Sequence, residues 1–225
     1  MSVDARPAHV VMLHGLWMTG VEASFLRRRL GERYGFNTHQ LHYRTVRASL
    51  TENARVLREF VQHELRPDAT CHFVGHSLGG LVILKMLCDW PDAPPGKVVC
   101  LGTPLAGSAA AERIAGLPGG ESLLGKSIAE GVLAESASNW AASLESRDIG
   151  VIAGTLSVGL GRIVAKLPTP NDGSVAVTET RWSGLTDHLT LAATHTTLVT
   201  SREVADQIAH FLNHAEFSRD RKSGP

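Results

Sequence analysis

The chain reads as an α/β protein: a mainly parallel six-stranded sheet with helices on both faces. Two features of the sequence predict this. Short β-branched runs alternate with amphipathic helical stretches along most of the 225 residues, the pattern of strand-helix-strand units. Several of those runs are apolar almost throughout, as strands covered on both faces must be.

The first strand is expected over Ala8–Leu13 and is followed by a helix over Glu22–Tyr34, with Arg27 to Arg29 on a solvated face. A second strand spans Asn37–Tyr43. Ser49-Leu-Thr-Glu52 is a capping box, and it opens a helix whose apolar stripe runs Ala54, Leu57, Val61, Leu65 until Pro67 stops it. The third strand, Thr70–Val74, leads into a helical run over Leu81–Asp89, and the fourth is Lys97–Leu101. The fifth and sixth strands fall at Ile149–Gly154 and His188–Ala193. A second capping box, Thr200-Ser-Arg-Glu203, opens the last helix, with Val204, Ile208, Phe211 and Leu212 at helical spacing. The polar tail Phe217–Pro225 is expected to fray.

Between the fourth and fifth strands, residues 104–147 are too many for an ordinary connection. Leu123, Leu124, Ile128, Val132 and Leu133 form a helical stripe opposite Lys126, Glu130 and Glu135, after a hinge-like break at Gly116 and Pro118–Gly120. Such a stripe fits ordinary core, and it also fits a small cap over a site. The expectation is one domain over residues 1–225, with 104–147 as a cap or lid insertion.

Lys plus Arg number 22 and Asp plus Glu 22, so no net field draws the chain to nucleic acid or an anionic membrane surface. A neutral or apolar small molecule suits that balance better. Cys71, Cys88 and Cys100 are odd in number and sit in apolar segments, which predicts buried free thiols rather than a disulfide framework. No window holds the eighteen or so apolar residues of a membrane span. The apolar run His9–Leu13 is too short for a signal peptide, so a cytoplasmic protein is expected. Oligomeric state is open at this stage.

The residues that carry chemistry begin with Gly75-His76-Ser77-Leu78-Gly79-Gly80, a Gly-x-Ser-x-Gly motif set between a strand and a helix. A serine raised on that turn needs glycines two positions away, where a Cβ would strike backbone. The turn also puts Ser77 at a helix N-terminus, where free amides favour the negative charge of an attacked carbonyl. A hydroxyl needs a base, and the base an orienting acid. In a parallel sheet these partners gather at the carboxyl ends of the strands. Among eleven histidines, that rule selects His195, just beyond the last strand. His188 opens the same strand at the other edge. His9, His39 and His72 lie in strands, and His63, His210 and His214 on helices. His76 adjoins the serine and is turned away from its hydroxyl.

The same rule rejects Asp148 and Asp187, which precede strands, and leaves Asp172. Asn171-Asp172-Gly173 alone reads as a tight turn. Its place between the fifth and sixth strands makes Asp172 the group expected to accept the Nδ1 proton of His195. The oxyanion hole would use the Leu78 amide and, from the loop His14-Gly15-Leu16-Trp17, the Leu16 amide. No metalloprotease helix motif or paired CxxC is present, and Gly159-Leu-Gly161 lacks the lysine or third glycine of a nucleotide site.

With these residues in place, the chain resembles the small bacterial lipases and esterases of the α/β-hydrolase superfamily. The likeness rests on Val10-Val-Met-Leu-His-Gly15, Gly75 to Gly80, Gly102-Thr-Pro-Leu-Ala-Gly-Ser108, Asn171-Asp-Gly-Ser-Val175 and Thr194-His195, in order over nearly the whole chain. It implies the α/β-hydrolase fold, a Ser77, Asp172, His195 triad, and no metal or cofactor. Two departures stand out: Leu105 occupies a position where these lipases often carry histidine, and the signal peptide of secreted lipases is missing. Both weigh against a triacylglycerol lipase more than against ester hydrolysis. The expected activity is cleavage of a carboxylic ester with an apolar acyl group. Two alternatives stand beside it: a thioesterase or acyltransferase with the same triad, and a binding protein that kept the fold without turnover.

Overall fold

The computed structural model describes residues 7–66, 68–134, 140–158 and 167–219. Six parallel strands form one sheet: β1 (His9–Leu13), β2 (Asn37–Leu41), β3 (Cys71–His76), β4 (Val98–Leu101), β5 (Ile149–Gly154) and β6 (Asp187–Leu191). Their order across the sheet is β2-β1-β3-β4-β5-β6. The chain therefore steps one way from β1 to β2 and the other way from β3 onward. The connections leaving β1 and β3 part in opposite directions, and a crevice opens at the carboxyl ends between them. Register places Leu13 opposite Gly75, which brings the residues after both strands side by side.

Helices cover both faces, as the near-continuous apolar strands require. On one side α2 (Leu50–Glu64) and α3 (Leu78–Asp89) bury Leu50, Ala54, Leu57, Val61, Leu81 and Leu84 against Val11 and Phe73. On the other, α1 (Ser24–Tyr34) and α8 (Arg202–His214) bury Leu26, Leu30, Val204, Ile208 and Phe211 against Val10 and Val99. The Ser49 capping box forms in full: Ser49 Oγ accepts from Glu52 N at 3.1 Å, and Glu52 Oε2 from Ser49 N at 2.7 Å. Cys71 and Cys100 are buried free thiols, and burial pushes each up to about 12.

Three expectations are corrected. The second capping box is absent, because a 3₁₀ turn over Thr197–Val199 carries the chain past Thr200. Ser201 becomes the N-cap and accepts from Val204 N. Phe217 does not fray: it is 2% exposed, its ring packs at a tilt against that of Phe211 with centroids 4.9 Å apart, and it donates its amide to Asp187 Oδ2 at 2.8 Å. Residues 220–225 of that tail lie outside the described residues.

The third correction concerns residues 104–147, where the apolar stripe is not one helix. α4 (Ala109–Ala115), capped by Ser108 Oγ, precedes α5 (Gly120–Leu124), and Gly125 at φ 80° then breaks the helix before α6 (Lys126–Ile128). A single wide turn over Ala129–Ala134 and α7 (Ala141–Leu144) follow. Leu124, Ile128 and Val132 join the core beside Leu50, while Leu123 stands 56% exposed. Beneath them Asn53 Nδ2 donates to Ser127 Oγ at 2.9 Å, and Ser127 Oγ to Ala48 O at 2.9 Å, so this part is bonded to α2 and the loop before it. Glu135 lies outside the described residues, as do Gly159 to Gly161.

Candidate active site

Ser77 follows β3 directly and holds φ 53°, ψ −121°, a conformation L-residues adopt only where the surroundings impose it. Backbone crowding imposes it here. A Cβ on Gly75 would stand 2.4 Å from Gly80 N, and one on Gly79 would stand 2.6 Å from Leu13 O. The helix after Ser77 starts at Leu78 rather than Leu81, so the elbow passes into α3 without a spacer and the Leu78 amide lies in the first turn, where no intrahelical acceptor exists. We predict that Gly75→Ala lowers stability by about 1–3 kcal/mol. Urea unfolding showing no loss would refute the crowding.

Asp172 lies in the connection from β5 to β6 and is 1% exposed. Its Oδ1 accepts from Ser174 N at 2.9 Å and Val175 N at 2.8 Å, while Gly173 takes φ 95°. The tight turn read from Asn171-Asp172-Gly173 is therefore present. The same turn aims Oδ2 at His195 Nδ1, 2.7 Å away. A carboxylate only accepts, so Nδ1 carries the hydrogen and the lone pair sits on Nε2. The backbone joins the same residues: His195 N donates to Asp172 O at 2.9 Å. Gly102, at the end of β4, leaves room for the pair, since a Cβ there would come within 2.9 Å of Asp172 Oδ2 and 3.1 Å of His195 Nδ1.

The loop after β1 lies against the elbow. A Cβ on Gly15 would stand 3.2 Å from Ser77 Cβ and 2.9 Å from His76 Nδ1. Tyr43 holds this loop from beneath: its hydroxyl donates to His14 O at 2.5 Å, and its ring stacks on that of His14 at 4.6 Å. Burial pushes the Tyr43 hydroxyl well above the usual phenol range, so it remains a donor. Trp17 takes φ 58° and bonds outward through Nε1 to Leu123 O at 3.2 Å, joining this loop to α5. Leu16, next to Trp17, has its amide in the same short loop as Gly15.

Of the remaining histidines, His76 is the one whose surroundings sequence reasoning missed. Its ring is 3% exposed and lies 4.6 Å from the His195 ring, with Nε2 2.9 Å from His195 O. Only its place next to Ser77 hinted at this, because the contact joins residues 119 apart in the chain. Tyr43 carried no signal in the sequence, since it lies just past β2, a strand expected to run through it. His72 is buried and its Nδ1 accepts from Lys97 N at 2.9 Å, the satisfied strand histidine expected. His9 and His39 pair with each other at 2.8 Å on the first two strands.

A doubly wound parallel sheet with a strained serine elbow and a buried aspartate-histidine pair at its carboxyl rim is the architecture of the α/β hydrolases. The chain belongs to the alpha/beta hydrolase family, whose model matches residues 10–221. Among solved structures it is similar to the mature lipase BlEst2 of Bacillus licheniformis, with TM-score 0.67, 16% identity, and coverage of 94% of this chain and 93% of that one. A metagenomic carboxyl esterase is 26% identical, with TM-score 0.64 over 86% of this chain and 66% of that one. A monoacylglycerol lipase of Paleococcus ferrophilus is 16% identical, with TM-score 0.63 over 92% and 94%. No curated protein matches the chain. Among the described residues, no helix is long and apolar enough to cross a membrane.

Proposed function

We propose that this hydrolase cleaves carboxylic esters with an apolar acyl group through an acyl-serine intermediate, with Ser77 as nucleophile, His195 as base and Asp172 as its orienting acid. The observation that carries the reading is the 2.7 Å contact between buried Asp172 Oδ2 and His195 Nδ1, with His195 lying against His76, the residue before Ser77. Ser77 Oγ attacks the acyl carbon and gives its proton to His195 Nε2. The alcohol departs with that proton. Water then attacks the acyl-serine, His195 takes the proton of the water and returns it to Ser77 Oγ, and the acid leaves. Asp172 stabilises the imidazolium formed in each half. The Leu16 and Leu78 amides face the developing oxyanion, each contributing about 3 kcal/mol to the transition state. The esterase and lipase neighbours support ester chemistry, and the family supports a small-molecule substrate.

Incubation with a fluorophosphonate probe followed by peptide mass analysis tests the assignment. A single adduct on Ser77, absent from Ser77→Ala, is expected, and an adduct elsewhere sinks it. Parallel chain-length series of p-nitrophenyl esters and acyl thioesters then identify the leaving group. Faster turnover of the thioesters would replace the ester reading.

A further inference from the structure

We propose that His76 is a positioning residue for this reaction: its Nε2–H, bonded to the backbone carbonyl of His195, ties the strand that carries the nucleophile to the loop that carries the base. The inference rests on the reading of Ser77 and His195 given above.

A peptide carbonyl only accepts, so the 2.9 Å contact assigns the hydrogen to Nε2 of His76. Nδ1 is then a bare acceptor. It is buried and has no partner among the described residues. Such an orphan is unfavourable, and a leucine or phenylalanine would fill the same volume without it. The imidazole is therefore explained by what its other nitrogen does.

That nitrogen completes the hold on His195. Asp172 grips the base twice, through the carboxylate to Nδ1 and through its carbonyl to the His195 amide at 2.9 Å. Both grips come from the connection between β5 and β6, and neither refers the base to β3. His76 does so, because it is the last residue of β3 and the one before Ser77. The backbone beneath it is anchored too, with Ser77 N donating to Leu101 O at 2.8 Å. A displacement of about 1 Å between reacting groups lowers a rate on the order of a hundredfold, so a fixed reference between these two elements matters.

The ring must stay uncharged in this role, since it lies against the imidazole that becomes cationic in each half-reaction. Burial, then the neighbouring His195, push His76 down to about 3, and His14 nearby acts in the same direction while Asp172 opposes it.

Three variants test the role against the wild type with a p-nitrophenyl ester. In His76→Leu the donor is lost, and kcat is expected to fall about ten- to a hundredfold with KM within about twofold. In His76→Gln the amide N–H reaches the same carbonyl, and most of that loss is recovered. Should the leucine variant fail to fold, His76→Asn, polar but too short to reach His195 O, takes its place with the same expected loss. A folded Leu or Asn variant with unchanged kcat overturns the proposal, as does a Gln variant no better than either. Absence of a Ser77 adduct in the wild type defeats the hydrolase reading and this inference together. A labelled wild type with an unaffected Leu variant defeats the positioning role alone.

Discussion

On the proposed mechanism, Asp172→Asn is expected to lower kcat about 10⁴-fold while leaving the fold intact, the order of magnitude this exchange has in serine proteases. The structure dictates how the asparagine must sit. Oδ1 accepts from two backbone amides, Ser174 N and Val175 N, so the amide oxygen of asparagine stays there and its NH₂ replaces Oδ2 opposite His195. Two donors cannot face each other, and Nδ1 of His195 gives up its hydrogen to become the acceptor. The hydrogen then resides on Nε2, the atom that in the proposed reaction must offer a lone pair to the serine proton. The variant keeps its volume and three of its hydrogen bonds, so urea midpoints stay near those of the wild type. Fluorophosphonate labelling at Ser77 slows in parallel with ester turnover. A loss below tenfold would show that Asp172 does not set the tautomer.

The second large effect is on stability in acid. His72 and His76 are 6% and 3% exposed, and burial, followed by Lys97 for the first and His195 for the second, pushes them down to about 4 and about 3. Both lie below the unfolded value of 6.5. As pH falls under 6.5 the unfolded chain takes up two protons that the folded chain refuses, and stability declines until the folded values are reached. Each group lowers stability by about 1.4 kcal/mol per pH unit in that window, or about 4 kcal/mol for the two together at pH 5 relative to neutrality. His188, also pushed down to about 4, mainly by burial, acts in the same direction. Urea unfolding at pH 7.5 and pH 5 measures the difference, and less than 1 kcal/mol would contradict the neutral buried state. His72→Asn, whose amide oxygen can accept from Lys97 N, should remove roughly a third of the dependence.

Much of this protein was legible before any coordinates. Apolar runs placed the four central strands, because a strand covered on both faces can hold little but apolar side chains, whereas the edge strands β2 and β6 are mostly polar and followed from their places in the alternation of strands and helices. Ser77, Asp172 and His195 were singled out because a parallel sheet sends the residues that follow its strands to one rim, and the structure brings Asp172 Oδ2 to 2.7 Å from His195 Nδ1. Boundaries were less legible where local signals competed. Thr200 and Ser201 are both competent caps, and the preceding 3₁₀ turn decides between them. The stripe from Leu123 to Leu133 has helical spacing, yet Gly125 is pressed against Val46 backbone and takes an extended, positive-φ conformation that breaks the helix.

What the sequence determined by itself is the set of elements and the residues competent for chemistry, since periodicity, capping and the glycines of the elbow are local properties carried by neighbours along the chain. Tertiary structure alone decided which distant groups meet around the site. Tyr43 under His14, His76 against His195, and Trp17 bonded to Leu123 join residues 29, 119 and 106 positions apart. Such pairings depend on how strands order themselves across the sheet, and no local pattern encodes that order.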